Sequence, residues 1–534
     1  MWPFRSNTPS PVAHRVLLTC LAIVLAAKAW FILATPLRAL VLSPWLLDDS
    51  FITMQVAKNV ALLAKFSFDG VSLTTGVAPL WTYIIAIPQF ADSKDIAVKT
   101  TLLLSTFFGV ACSYVIFRIG VSLTNNRWTA TAAALLTALM PAQFFNAMNG
   151  METAFFSLMI LLALGGASGA LRFAKPAWAQ GAWTGLFLGI AILTRADSVF
   201  AIAAVGALKG WEWWTQPKRR RDVAFDITTI ATIVAIFLAI FLVWQWAQTG
   251  SAFPDNQVGR RAIALEDHGF DFAQFALVPY LKISLWNVFQ LESLWTLATG
   301  STLLSLLALA WASTNASTSS TARVTAMYAA FFAGALCFYQ WYFPDFHGLR
   351  YINAASHLAI LFTTIFVAQL FSGTFRYTAL AVCCAALLML SWYRYVDTIR
   401  HYPAFKDMGL FGQSNVETQD RFWAAIDWVK TNVSADATIA LRDHGRMAFF
   451  TDRKIQDLAG ILDADVLVAR AEHRAGDYVL TTGKATYAFL PDPAPGTTSV
   501  FQQLHEQLRM QRLIGAPQQE ITGYKPYKVL GAKR

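Results

Sequence analysis

The sequence predicts a polytopic α-helical membrane protein with a soluble α/β domain at its C-terminal end. The chain has 534 residues, of which 56% are hydrophobic and 14% are charged, and this composition is more apolar than that of an ordinary soluble protein. Windows of about 18 or more apolar residues recur from Val16 to Tyr393, and such windows are long enough to cross a bilayer as helices. After Tyr395 the composition becomes that of a soluble domain.

The same composition excludes several classes of protein. Long apolar windows exclude a transmembrane β-barrel, whose strands alternate over about ten residues. The net charge of +10 lies largely in short loops between apolar segments, which is typical of helix orientation and does not indicate binding of nucleic acid. The five cysteines lie in apolar segments without CxxC spacing, so neither a disulfide framework nor a zinc site is predicted.

The basic loops also predict the topology, because short basic loops lie on the cytoplasmic side. Loops near Arg15, Arg118 and Arg323 lead to about eleven spans, with a cytoplasmic N-terminus and an extracytoplasmic C-terminus. The expected domains are a transmembrane module of residues 1–395 and an external α/β domain of residues 396–534. The lipid bilayer is therefore an expected partner of most of the chain.

One apolar segment, from Gly181 to Trp214, contains charged residues at its centre. A single helix would bury Arg195 and Asp197 in hydrocarbon, at a cost of roughly 3 kcal/mol each. We therefore predict two short helices that meet at Thr194-Arg-Ala-Asp197, on the outer side of the membrane.

The predicted first outer loop, residues 36–97, begins with an acidic pair. Asp48 and Asp49 precede Ser50 to Lys65, where apolar residues recur at helical spacing and predict an amphipathic helix lying on the membrane. Aspartate is also a favoured helix N-cap, so either carboxylate can simply cap this helix.

In the C-terminal domain, the sequence predicts a helix at 422–432 and strands at 438–441 and 477–482.

The order of these features resembles the GT-C superfamily of polyprenyl-phosphate-sugar-dependent glycosyltransferases. The resemblance is carried by a single span followed by Asp48-Asp-Ser-Phe-Ile52, Ala57-Lys-Asn59 and Thr75-Gly-Val-Ala-Pro-Leu-Trp81. Further similarities are Gly150-Met-Glu-Thr153, Leu193-Thr-Arg-Ala-Asp197, Arg350-Tyr351 and Asp457-Leu-Ala-Gly460. The pattern is most similar to mycobacterial terminal arabinosyltransferases and related bacterial membrane glycosyltransferases.

This resemblance implies an enzyme of the bacterial cytoplasmic (inner) membrane. It would move a pentose such as arabinose, or a hexose, from a polyprenyl-phosphate donor to an envelope glycan, glycolipid or protein acceptor on the extracytoplasmic face. In the family, an aspartate of the first loop acts as general base. Carried over, Asp49 is expected to deprotonate the acceptor hydroxyl, and Asp48 to orient that hydroxyl or the sugar.

The leaving group would be a membrane-anchored phosphate, whose charge needs cations or helix N-termini nearby. The residues expected to bind this phosphate or the substrate are Arg195, Arg350, His347, Lys58, Glu152, Asp197, Arg260 and Arg261. Structural roles remain open, since Arg195 can pair with Asp197 to close the helix break and Glu152 suits a helix N-terminus. No cofactor is expected, although paired carboxylates can hold a divalent cation.

Two other classes of protein remain possible from the sequence. A polyprenyl-linked lipid transporter or flippase would explain the spans and the intramembrane charges, but such proteins usually show repeated halves with matching helix breaks. A membrane sensor with an external ligand-binding domain would explain the last 140 or so residues. It would leave the acidic pair of the first loop without a role.

Overall fold

The computed structural model describes residues 11–250, 323–331, 334, 350, 353–401, 416–490, 500–512 and 525–532, apart from positions 44, 92, 175, 372, 374, 443–444, 461 and 464. Three predicted donor-binding residues, His347, Arg260 and Arg261, lie outside these ranges. The chain divides into two compact units, each assembled from distant segments. The first unit comprises Met1–Ala34, Leu102–Phe241 and Ala276–Lys406, and the second comprises Thr35–Thr101, Leu242–Phe275 and Asp407–Arg534.

The described part of the chain is mostly helical. Up to Thr249 the helices are α1 (Pro11–Ala34), α2 (Leu37–Leu40), α3 (Asp48–Leu63), α4 (Pro79–Ala86), α5 (Lys94–Thr124), α6 (Arg127–Leu139), α7 (Pro141–Asn146), α8 (Thr153–Ala167), α9 (Ala177–Thr194), α10 (Ser198–Thr215) and α11 (Arg220–Thr249). Later helices are α12 (Asn353–Leu370), α13 (Phe375–His401), α14 (Val416–Asn432), α15 (Gly445–Thr451), α16 (Asp465–Ala471), α17 (Ala475–Thr481) and α18 (Val500–Gln507).

Within the described ranges, five helices are long and apolar enough to cross a membrane. They are Val12–Ala34, Lys94–Thr124, Pro217–Thr249, Asn353–Leu370 and Phe375–Tyr393, and the shorter apolar helices are Thr153–Ala167 and Trp178–Thr194. The total of about eleven spans stays a prediction, because several of the expected spans fall outside the described residues.

The predicted break between α9 and α10 is confirmed. Helix α9 ends at Thr194, Arg195 is extended with φ −152° and ψ 139°, and α10 begins at Ser198. Helix α10 has 18 residues and is about 27 Å long at 1.5 Å per residue. Ion pairs lie at both ends, because Lys209 and Glu212 near its C-terminus pair with Asp226 and Arg323.

Helices α9 and α11 approach closely along a row of glycines in the first unit. Gly181, Gly185 and Gly189 lie four residues apart and therefore share one face of α9. A Cβ at Gly181 would meet the carboxylate of Asp226 at 2.4 Å, and one at Gly189 would meet the ring of Phe237 at 2.4 Å. Small residues at such spacing let helix backbones pack tightly, which is how membrane helices gain van der Waals contact.

The C-terminal segment folds around a mixed sheet. In the described residues its strands are β1 (Thr438–Leu441), β2 (Lys454–Asp457), β3 (Ala485–Leu490), β4 (Leu508–Arg512) and β5 (Lys525–Ala532). Their order is β2-β1-β3-β5-β4, with β1 parallel to β2 and β3, and β5 antiparallel to β3 and β4. The strand predicted at 438–441 and the helix predicted at 422–432 are confirmed.

Two local predictions were wrong. The strand predicted at 477–482 is instead part of helix α17, whose buried residues Ala475, Tyr478 and Val479 lie at helical spacing. The helix predicted at Ser50 to Lys65 is α3, but it has no separate apolar and polar faces over its first half, because every residue from Ser50 to Ala57 is buried. It packs against α4 and α15 within the second unit, so protein contacts surround the side chains that we expected to face lipid and solvent.

Candidate functional site

The acidic pair forms the first turn of α3. The N-cap is Leu47, which makes no side-chain cap hydrogen bond, and Asp48 and Asp49 are the first two helical residues. Carboxylates at this position are stabilised by the helix dipole. Neither aspartate is the N-cap of α3, so the capping alternative does not hold at this helix.

Asp48 instead caps another helix, α15, which lies 397 residues further along the chain. Its Oδ2 accepts the backbone N–H of Gly445 at 2.7 Å, and its Oδ1 accepts the backbone N–H of Arg446 at 2.8 Å. The Arg446 guanidinium lies 3.8 Å from the same carboxylate. Both carboxylate oxygens are therefore engaged by the C-terminal segment, which favours a structural role for Asp48.

Arg446 contacts the loop before α3 as well as Asp48. Its Nε donates to the carbonyl oxygen of Val41 at 3.0 Å, and its Nη2 donates to the carbonyl oxygen of Leu46. The guanidinium also lies over the ring of Phe51, 5.5 Å from its centroid. The sequence analysis missed this residue, since nothing in the local sequence around Gly445 and Arg446 points to residues 41–51.

Asp49 occupies the next position on the same rigid turn. It is half-buried, and its backbone carbonyl accepts the hydroxyl of Thr53 at 3.1 Å. Successive helical residues are rotated by about 100° because a turn contains 3.6 residues. The Asp49 side chain therefore leaves the helix in a different direction from Asp48, whose side is occupied by α15.

Lys58 lies on α3, where it forms an ion pair. Lys58 and Lys94 both bind the carboxylate of Asp452, Lys94 at 2.6 Å. Burial opposes ionisation of Asp452, but the hydrogen bonds and charges of the two lysines outweigh it and hold the pKa of Asp452 below its usual value. Phosphate binding by Lys58 stays a prediction, and this carboxylate would compete for the ammonium group.

Three of the predicted residues come together in the first unit, where they form what we call the Arg195 cluster (Arg195, Glu152 and Asp197). Arg195 Nη1 lies 2.6 Å from Glu152 Oε1, and Arg195 Nε lies 2.9 Å from Asp197 Oδ1. The three side chains are only 7–11% exposed. With one cation and two carboxylates, the cluster has a formal charge of −1.

Arg350 is another buried arginine of the first unit. It is 3% exposed, and its Nη1 is 3.0 Å from the sulfur of Met151, the residue immediately before Glu152. The contact with Met151 places Arg350 against the residue that precedes a member of the Arg195 cluster.

A second polar group in this unit was missed by the sequence analysis. Asn353 and His357 lie one turn apart on α12, and Asn353 Nδ2 donates to Ser157 on α8 at 2.9 Å. Asn353 Oδ1 accepts from Asn146 at 3.3 Å. All four side chains are buried. Polar groups at such depth are costly in a membrane and often mark a functional site.

No group of three or more His, Cys, Asp and Glu side chains suited to a metal ion occurs among the described residues. The Asp48 carboxylate is occupied by N–H donors, and the carboxylates of the Arg195 cluster are occupied by a guanidinium. The possible divalent cation therefore gains no support from a preformed ligand set in this part of the chain.

Comparison with known proteins gives a family match for the C-terminal segment and structural matches for nearly the whole chain. Residues 411–527 match a domain of unknown function, DUF8728. A comparison with curated protein sequences gives no match.

The structural matches include an oligosaccharyltransferase and ArnT. The apo oligosaccharyltransferase of Archaeoglobus fulgidus is 12% identical, with a TM-score of 0.55 over 89% of this chain and 69% of that one. The same organism's AglB, in complex with an inhibitory peptide and a dolichol-phosphate, is 11% identical with a TM-score of 0.55 over 90% and 70%. ArnT of Cupriavidus metallidurans, bound to undecaprenyl phosphate, is 12% identical with a TM-score of 0.54 over 95% and 97%.

These matches show the fold of the chain. The chain shares the fold of the oligosaccharyltransferase and of ArnT, and five of its described helices are long and apolar enough to cross a membrane. The arabinosyltransferase-like subtype is not confirmed by these matches.

Proposed function

We propose that the protein is a membrane glycosyltransferase that moves one sugar from a polyprenyl-phosphate donor to an acceptor on the extracytoplasmic face of a bacterial inner membrane. The observation that carries this proposal is the fold, since matching structures contain a dolichol-phosphate in AglB and undecaprenyl phosphate in ArnT. The acceptor would be an envelope glycan, glycolipid or protein. The sugar would be a pentose such as arabinose, or a hexose.

In the proposed mechanism, Asp49 is the general base. The acceptor hydroxyl transfers its proton to the Asp49 carboxylate while its oxygen bonds to the anomeric carbon. The bond from that carbon to the phosphate oxygen breaks, and the polyprenyl phosphate leaves with the bonding electrons. Asp48 would act by fixing the first turn of α3, since its two oxygens already accept N–H groups.

The departing phosphate needs positive charge, which we assign to Arg195 and Arg350. Because Glu152 and Asp197 already neutralise Arg195, Arg350 would contribute the additional attraction for the phosphate. Glu152 and Asp197 would hold the Arg195 guanidinium in place. Lys58, His347, Arg260 and Arg261 remain proposed contributors to substrate binding.

The proposed topology agrees with one contact. Asp48 and the Gly445 backbone are joined by a 2.7 Å hydrogen bond, which supports our placing of the loop 36–97 and the segment after residue 396 on the same side of the membrane. We assign the extracytoplasmic side to both, from the distribution of basic loops. Residues 1–395 remain our proposed transmembrane module, and residues 396–534 our proposed external domain.

The test is a transfer assay on membranes that contain the protein. Polyprenyl-phosphate donors labelled in a pentose or a hexose are incubated with envelope acceptors, and release of label from the lipid is measured. We expect transfer by the wild type and a loss of at least about 100-fold in Asp49→Asn, because general-base catalysis contributes 10²–10⁴. Asp427→Asn is the matched control, because that carboxylate is 65% exposed and its ion pair with Arg38 is long, at 3.8 Å.

Two outcomes would contradict the proposal. Near wild-type transfer by Asp49→Asn would remove Asp49 as the base. Retention of all label on every donor by the wild-type protein would favour a lipid transporter or a sensor instead.

A further inference from the structure

The contact between α15 and the first turn of α3 has no tolerance for a side chain at Gly445. A Cβ at this position would lie 2.2 Å from the backbone oxygen of Asp48 and 2.8 Å from the backbone nitrogen of Ile52. Both are main-chain atoms of α3, which cannot move aside without displacing the helix. Glycine therefore sets how closely α15 approaches the acidic turn.

Arg446 holds the same turn from the side of the preceding loop. Its guanidinium binds the carbonyl oxygens of Val41 and Leu46 and lies 3.8 Å from the Asp48 carboxylate. The planar guanidinium presents several N–H donors in a fixed arrangement. Contacts to both the loop and the helix fix the angle at which the chain enters α3.

Aromatic packing completes the contact. Phe51 is fully buried and lies 5.8 Å from the ring of Phe449 and 5.6 Å from that of Phe450. Both phenylalanines belong to α15. Aromatic pairs of this kind stabilise a contact beyond the area that they bury, so α3 is held at residues 48, 51 and 52 by one short helix of the C-terminal segment.

We propose that Gly445 and Arg446 are positioning residues for Asp49, through which the C-terminal segment completes the active site. This inference rests on the proposed function, because it takes Asp49 as the general base. Gly445 and Arg446 do not touch the reacting atoms. They hold Asp48, and the Asp49 backbone follows directly from that of Asp48, so loss of either contact moves the base relative to the acceptor hydroxyl.

The chain offers a matched control in Arg453. This arginine also binds three backbone carbonyls, those of Val433, Thr451 and Lys430, at 3.0–3.1 Å. Val433 and Lys430 lie outside α15, and Thr451 ends α15 at the opposite end from Gly445. Arg453→Gln therefore removes a comparable number of hydrogen bonds and leaves the contacts of Gly445 and Arg446 with the acidic turn in place.

The experiment compares Arg446→Gln, Arg453→Gln and Gly445→Ala in the full-length protein. We expect Arg446→Gln and Gly445→Ala to lower kcat by about 10- to 100-fold, because small misplacements of a catalytic group have effects of this size. The KM for the polyprenyl-phosphate donor should stay within about twofold. Arg453→Gln should lower the thermal unfolding temperature by an amount similar to Arg446→Gln while kcat stays within about twofold. Arg446→Lys, which keeps the positive charge near Asp48, should recover part of the kcat.

A second readout does not depend on activity. Amide hydrogen exchange of residues 45–53 should be faster in Arg446→Gln and Gly445→Ala, and unchanged in Arg453→Gln. Equal kcat values for Arg446→Gln and Arg453→Gln, or unchanged exchange at residues 45–53, would overturn the inference. Absence of transfer by the wild type would instead overturn the proposed function, and the exchange result would still decide whether α15 holds the acidic turn.

Discussion

The Asp48 contact in the second unit and the Arg195 cluster in the first unit hold their carboxylates in different ways. Asp48 is bound mainly by two backbone N–H groups, whose positions are set by helix geometry. Glu152 and Asp197 are both bound by the side chain of Arg195. The two N–H groups fix the position of the Asp48 carboxylate, whereas the guanidinium of Arg195 offsets the charge of Glu152 and Asp197. This difference agrees with the roles that we propose, in which the first region places Asp49 and the second binds the phosphate of the donor.

The two regions also differ in burial. The Asp48 side chain is 26% exposed, so water can partly replace a lost partner. The side chains of the Arg195 cluster are 7–11% exposed, so a carboxylate that loses its partner there stays in a poorly solvated environment. Removal of one partner should therefore lower the free energy of unfolding more in the Arg195 cluster than at Asp48. Substitutions in the two regions test this expected order.

The largest effect is expected from Arg195→Met. This change leaves Glu152 and Asp197 buried without their cation, and we expect the free energy of unfolding to fall by about 3–5 kcal/mol. Denaturation in mixed micelles would measure it. The triple variant that adds Glu152→Gln and Asp197→Asn should regain part of the loss, because it removes the unpaired charges. A loss below about 1 kcal/mol in the single variant would show that the cluster is better solvated than its burial indicates.

A smaller effect is expected from Asp48→Ala. The backbone N–H groups of Gly445 and Arg446 lose their acceptor, which should lower the free energy of unfolding by about 1–3 kcal/mol. Asp48→Asn should cost less, since one side-chain oxygen remains as acceptor. The same denaturation experiment measures both, with Asp427→Ala as the exposed control. If Asp48→Ala costs as much as Arg195→Met, the contrast drawn between the two regions is wrong.

The smallest expected effect on stability is that of Asp452, whose carboxylate forms ion pairs with Lys58 and Lys94. Its pKa is lowered in the folded protein, so its ion pairs stabilise the fold above the unfolded pKa of about 3.9 and lose that effect as pH falls through the folded pKa. Because the side chain is 46% exposed, solvent screening should keep the contribution below about 1 kcal/mol.

Asp452→Asn tests this pH dependence. The variant should be less stable than the wild type at pH 7, and the difference should shrink near pH 3. Unfolding midpoints at the two pH values measure it. A difference that stays constant or grows on acidification would contradict the assigned direction of the pKa shift.

Much of the fold could be predicted from the sequence because membrane insertion imposes strong local rules. The cost of burying Arg195 and Asp197 in hydrocarbon was enough to predict the break between α9 and α10. The strand at 438–441 was also predicted from its local pattern. At 477–482, a short run of β-forming residues was misleading, because packing of Ala475, Tyr478 and Val479 on one face of a helix decided the structure.

The candidate site was only partly predictable. Asp48 and Asp49 stood out as adjacent carboxylates, and the helix break identified Arg195 and Asp197. The contacts of Asp48 could not be predicted from the sequence, because its partners lie 397 and 398 residues away. No local pattern indicates which distant residues will be in contact. For the same reason, the apolar periodicity of α3 suggested a membrane surface when its true partner was α15.

The distance between Asp48 and its partners has a consequence for biosynthesis. At about 5–20 residues per second, the ribosome needs about 20–80 s to make the 397 residues that separate Asp48 from Gly445. During that interval, α3 has emerged and α15 has not. Until α15 has been synthesised, the residues of α3 that α15 buries must therefore contact another environment, such as lipid or a chaperone.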